Sequence, residues 1–85
     1  MINVSLNNLK NKSNHNYKIL NIDGNVLYVS GIKKLQTMQN DKIAIYLKCG
    51  KLLIVIGENL TLQEYDKSGA MIKGNIISVE VKENE

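Results

Sequence analysis

The stretch "KCGKLLIVIGENLTLQEYD", Lys48 to Asp66, decides how this chain folds. Five apolar residues stand together from Leu52 to Ile56, between Gly50 and Gly57. A run so short and β-branched, bounded by glycines, reads as a strand with two apolar faces. Its partner across Cys49-Gly50 is "KIAIYLK", and two registers compete. A two-residue turn sets Leu47 opposite Leu52, Ile45 opposite Ile54 and Ile43 opposite Ile56, leaving Tyr46 with Leu53 and Ala44 with Val55 on the other face. A three-residue loop with Gly50 as a left-handed bulge shifts the register by one, and it is sterically easier because cysteine disfavours positive φ.

Reading onward, "GEN" is expected to be a loop that sets Ile56 against Leu60 and Ile54 against Leu62. "DKSG" fits a type I turn closing at Gly69, which brings Ile72 to the face of Leu60 and Leu62. Gly74-Asn75 is either a tight turn or a bulge in one long strand. The expected inner face is therefore Ile43, Ile45, Leu47, Leu52, Ile54, Ile56, Leu60, Leu62, Ile72, Ile77 and Val79. On the opposite face Tyr46, Leu53 and Val55 are the candidate partner-facing residues. The expected structural turn positions are Gly24, Gly50, Gly57, Asn59, Gly69 and Gly74.

Reading back toward the N-terminus, Asp23-Gly24 between "YKILNI" and "NVLYVS" is a strong hairpin signal, since a type I′ turn needs two residues at positive φ. A two-residue turn there sets Leu20 opposite Leu27 and Ile19 opposite Tyr28. Asn40-Asp41 acts similarly, with Met38 opposite Ile43. "MINVSLNNLKNKSNHN", residues 1–16, is rich in Asn, a poor helix former, and reads as a tail with at most one helical turn. Residues 17–82 then make one domain and 83–85 a short C-terminal tail.

Short apolar strands separated by Gly, Asn and Asp make the chain all-β. About seven short strands, mostly an antiparallel meander, are expected to form a roll or small sandwich. A β-solenoid is the alternative, suggested by the loose recurrence of a β-branched residue two places before glycine at 24, 31, 57 and 74. Burying the five residues 52–56 is worth at most on the order of 8 to 15 kcal/mol. Leaving Leu53 and Val55 wet forfeits about a third of that and exposes a strand prone to aggregate. Either the domain folds over itself to cover that face, or another subunit does so.

The chain has 85 residues, 11 Lys, 8 acids and no Arg, Phe, Trp or Pro. The core must be aliphatic. Residues 1–40 carry +4 and residues 41–85 carry −1. The absence of Arg, the best bidentate reader of phosphate and guanine, counts against nucleic acid as partner. One cysteine excludes an internal disulfide, and no run approaches the roughly 20 apolar residues of a membrane-spanning helix. With no secretory h-region at its start, the chain is expected in the cytoplasm.

Little in the sequence points to catalysis. A couple between the single His15 and Cys49 would need the tail folded onto a hairpin tip. The two lack the ligand-spaced neighbours of a zinc site. Glu58, Glu64, Asp66 and Glu80 are scattered over loops and outward positions, and no glycine opens a helix to cradle phosphate. No catalytic, metal or cofactor-binding residue is expected. The tyrosines at 17, 28, 46 and 65 would suit base stacking in a small β-barrel nucleic-acid module, the alternative function, although Tyr28 and Tyr46 sit within apolar strands.

From Tyr17 to Lys82 the chain resembles the YabP and YqfC family of sporulation proteins. The likeness lies in "VSGIKKLQTMQNDKIAIYLKCGKLLIVIGENLTLQEYDKSGAMIKGNIISVEV" and rests on Gly50, Leu52, Ile54, Gly57, Asn59, Leu60, Ile72, Gly74 and Ile76. These are turn and core residues. The resemblance implies a non-enzymatic mother-cell protein of the spore envelope, coat or cortex, acting through protein contacts. It implies an integral membrane sporulation protein as partner, or a homo-oligomer beneath a membrane, with no cofactor.

Overall fold

The computed structural model describes residues 17–48, 50–66 and 68–83. Six strands form among them: β1 (Lys18–Ile22), β2 (Val26–Ser30), β3 (Ile32–Met38), β4 (Lys42–Leu47), β5 (Lys51–Asp66) and β6 (Gly69–Glu83). They make one antiparallel sheet in the order β1-β2-β6-β5-β4-β3. The all-β expectation holds, with fewer and longer strands than the seven foreseen. No pair is parallel among the described residues, which removes the solenoid alternative. Residues 1–16, with the expected tail and His15, lie outside the described residues, as do Cys49 and residues 84 and 85. β6 runs through Glu83, one residue past the expected domain end.

The two long strands organise everything else. β5 and β6 pair from Lys51↔Glu83 to Asp66↔Gly69, with register shifts at 56/57, 58/61 and 63/66. The N-terminal half of β5 takes β4 as its other neighbour, and β4 takes β3. The first residues of β6, Ala70 to Lys73, take β2, and β2 takes β1. Each end of the long hairpin thus carries its own short hairpin. "GEN" is not a loop between strands. It is a kink inside β5, with Asn59 at φ 55, and Gly74 marks the matching kink in β6.

Hydrogen bonds from the short hairpins hold both kinks. Gly57 N–H donates to the Asp41 carbonyl at 3.1 Å, and Leu60 N–H to Asn40 at 2.8 Å. On the other strand Gly74 N–H donates to Asn25 at 3.1 Å, and Ile76 N–H to Gly24 at 2.9 Å. Backbone groups freed by a bulge must be paired elsewhere, and here the turn of a neighbouring hairpin does so. At Gly57 the strands come so close that a Cβ would lie 2.2 Å from the Asn75 carbonyl oxygen.

The kinks fold the sheet over its own inner face. β2 and β3 stand four neighbours apart in the sheet, about 19 Å if it were flat, yet a single residue, Gly31, joins them. Ser30 to Ile32 reaches about 7 Å at most. The sheet therefore curls until its two halves face each other, and Lys48 N–H donates to the Gly31 carbonyl at 2.9 Å, extending the β3–β4 ladder up to the joining residue. The core is aliphatic, as composition required: Leu27, Ile43, Ile45, Leu53, Val55 and Ile72 are all fully buried.

The competing registers of the β4–β5 hairpin resolve in favour of the glycine bulge. Gly50 has φ 78, and the pairs are Ile43↔Val55, Ile45↔Leu53 and Tyr46↔Leu52. Period two means a one-residue slip exchanges the faces of the strand. Leu53 and Val55 therefore enter the core, whereas Leu52, Ile54 and Ile56 leave the expected inner face for the outside. Of the other expected inner residues, Ile43, Ile45, Leu47, Leu60 and Ile72 are buried, and Leu62 and Val79 are half-buried against them. Ile77 is 61% exposed, because β6 carries an extra residue between Ile76 and Ser78.

The first hairpin keeps its expected turn but changes register. Asp23 and Gly24 both have positive φ, and Asn25 N–H donates to Ile22 at 3.0 Å, as a type I′ turn requires. The Asn25 carbonyl, however, turns to Gly74, so Ile19 faces Val29 and Leu20 faces Tyr28. Met38 lies opposite Ile43 as expected. The Asp66–Gly69 turn also stands where expected, and Leu62 faces Ile72.

Candidate interaction surface

With Leu53 and Val55 in the core, two of the three candidate partner-facing residues are unavailable to a partner. Tyr46 remains, half-buried on the outer face. Its surroundings follow from the register. One cross-strand row on that face runs Lys34–Tyr46–Leu52–Lys82. The next runs Ala44–Ile54–Glu80, and the third Lys42–Ile56–Ser78. Tyr46, Leu52, Ile54 and Ile56 are thus adjacent, an apolar strip bordered by Lys34, Lys42 and Lys82 and by Glu80. Ala44 beneath it is fully buried although it points outward, so the strip has a dry centre.

Tyr46 is held in place at both ends. Its hydroxyl accepts a 2.8 Å hydrogen bond from Gln36 Nε2, and the Lys34 ammonium stands 5.7 Å from the ring centroid. That distance is within reach of a cation–π contact. A cleft of about 300 Å³ opens beside it, lined by Lys33, Lys34, Tyr46, Leu47, Gly50 and Lys51. Lys51 is ion-paired with Glu83.

At the other end of the molecule a second outer-face row runs Leu20–Tyr28–Met71–Gln63. Leu20 is 57% and Tyr28 44% exposed. A cleft of about 360 Å³ lies here, with Lys18, Glu64 and Asp66 at its margin. Asp66 is committed to the turn: its carboxylate accepts from Ser68 Oγ at 2.6 Å, Ser68 N–H at 2.8 Å and Gly69 N–H at 3.2 Å. Those bonds, the Ser68 hydroxyl foremost, lower its pKa below the usual aspartate value.

Glu58, Glu64 and Glu80 are exposed and do not converge. Among the described residues no group of three His, Cys, Asp or Glu is placed to hold a metal ion, and no helix is long and apolar enough to cross a membrane. Gly24, Gly50, Gly57, Asn59, Gly69 and Gly74 all sit at turns or kinks, so these positions shape the sheet. Sequence reasoning missed Leu52, Ile54, Ile56, Leu20 and Tyr28 as surface residues. The glycine bulge at position 50 was the signal that could have exposed the first three. Comparison with protein-family models, with curated proteins and with solved structures gives no match.

Proposed function

We propose that this protein is a non-enzymatic structural or scaffolding component of spore-envelope assembly, acting in the mother-cell cytoplasm through protein contacts, as its resemblance to the YabP and YqfC sporulation proteins implies. The observation that supports a contact role is the outer strip of Tyr46, Leu52, Ile54 and Ile56. Its large aliphatic side chains stand on β5, flanked by β4 and β6, within a charged rim, the anatomy of a protein interface. The partner suggested by the resemblance is an integral membrane sporulation protein. A photo-crosslinking residue at position 56, in sporulating cells, tests this. A membrane-fraction adduct with such a protein, lost in Ile54→Lys, supports the proposal. A folded protein that crosslinks to none overturns it.

One observation favours a second reading, a small nucleic-acid-binding module. The cleft beside Tyr46 is lined by Lys33, Lys34 and Lys51, and the Lys34 ammonium stands over the aromatic ring. Single-stranded DNA or RNA binding that weakens steeply between low and moderate salt would put this reading first.

A further inference from the structure

An antiparallel sheet that does not close has strand edges to protect, and natural proteins blunt them with bulges and lysines. Three free edges here are blunted. β1 is only five residues long and opens on Lys18. β3 has register shifts at 32/34 and 35/37 and carries Lys33 and Lys34. The C-terminal half of β5 is broken by Glu64 at φ 54 and a shift at 63/66. The C-terminal half of β6 differs. From Ser78 to Glu83 it pairs with β5 in unbroken register, and among the described residues no strand pairs with its other side.

The direction of its backbone groups follows from β5. Gly57 N–H points toward β4, where it donates to Asp41. Alternation along β5 then turns Leu53 and Val55 toward β4, and Leu52, Ile54 and Ile56 toward β6. Their partners Lys82, Glu80 and Ser78 point back at β5. Val79 and Val81 therefore aim their N–H and C=O groups out of the sheet.

We propose that this edge pairs with the same edge of a second copy, antiparallel about a two-fold axis at Val81, to form a dimer with a continuous sheet. Charge selects that register. Centred on Val81, each Glu80 lies directly opposite the partner's Lys82, in the non-hydrogen-bonded sites where side chains come closest. Centred on Glu80, the two Glu80 carboxylates face each other. Centred on Val79, Ile76 and Lys82 must pair, and the Asp23–Asn25 turn already occupies that side of Ile76. The pairing uses a strand edge and leaves the outer strip free, so it stands or falls separately from the proposed partner contact.

A five-residue pairing is smaller than a standard interface, so the expected dissociation constant is on the order of 100 μM. Sedimentation equilibrium of the full chain from 10 μM to 1 mM, about that estimate, should show a monomer–dimer equilibrium. Glu80→Lys and Lys82→Glu should each raise the dissociation constant by about tenfold, because two attractive pairs become repulsive. The double exchange should restore dimerisation. In the wild type, the Val79 and Val81 amides should gain protection from hydrogen exchange as concentration rises. That readout needs no variant to fold. A wild type still monomeric at 1 mM, amide protection independent of concentration, or a double exchange that fails to rescue folded single variants overturns the proposal.

Discussion

Truncating Leu53 and Ile54 in turn tests the register on which the surface depends. They are neighbours on β5 with opposite fates: Leu53 is fully buried among core aliphatics, and Ile54 lies half-buried on the outer face opposite Ala44 and Glu80. Leu53→Ala loses transfer free energy and leaves a cavity, which costs about 2 to 5 kcal/mol. Ile54→Ala forfeits only part of its burial, about 1 kcal/mol. A domain of this size has a total stability of about 4 to 13 kcal/mol, so the first change removes a large share. In a urea melt with a slope near 1 kcal/mol/M, the midpoint should fall by about 2 M or more for Leu53→Ala and about 1 M for Ile54→Ala. Thermal midpoints should fall by about 10 °C or more and by about 6 °C, respectively. If Ile54→Ala costs as much as Leu53→Ala, the two-residue turn is the true register and the outer strip does not exist.

Two glycines separate close approach from backbone conformation. Gly57→Ala places a methyl group 2.2 Å from the Asn75 carbonyl oxygen and should cost about 2 to 4 kcal/mol by chemical denaturation, through overpacking and loss of a kink hydrogen bond. Gly50→Ala meets no atom within 4 Å and carries only the left-handed penalty, about 1 kcal/mol. The Asp66 turn predicts a pH dependence. Its folded pKa lies below its unfolded value, so its stabilisation is fully present above the ordinary aspartate pKa and is lost as pH falls through the lowered one. Asp66→Ala should flatten that part of the acid stability profile, and carboxyl NMR titration of the wild type should show the depressed midpoint.

Much of the fold is legible in the chain because turn chemistry is local. Asp23-Gly24, Asn40-Asp41, Gly50 and the Asp66–Gly69 turn all reverse the chain where their residues say they should. What hides is parity. Whether "GEN" ends a strand or kinks it depends on the Asn40 and Asp41 carbonyls, which take the Gly57 and Leu60 amides from a different hairpin. Asn25 likewise slips the first hairpin by one because Gly74 claims its carbonyl. Neither competition is visible within a short window. Leu53 and Val55 changed sides for a local reason instead, the glycine bulge at position 50, whose one-residue slip exchanges the faces of β5 and leaves the all-β architecture intact.

The order of strands along the chain sets when this protein can fold at the ribosome. β1 and β2 find no neighbour beyond each other until Ala70 to Lys73 have emerged, and the β3–β4 pair waits for Leu52 to Ile56. Until then Leu27 and Val29 lack their cross-strand neighbours Ile72 and Ala70. Nascent chains therefore stay adhesive until β6 has emerged and docked, and a chaperone or an early partner has its opening in that interval.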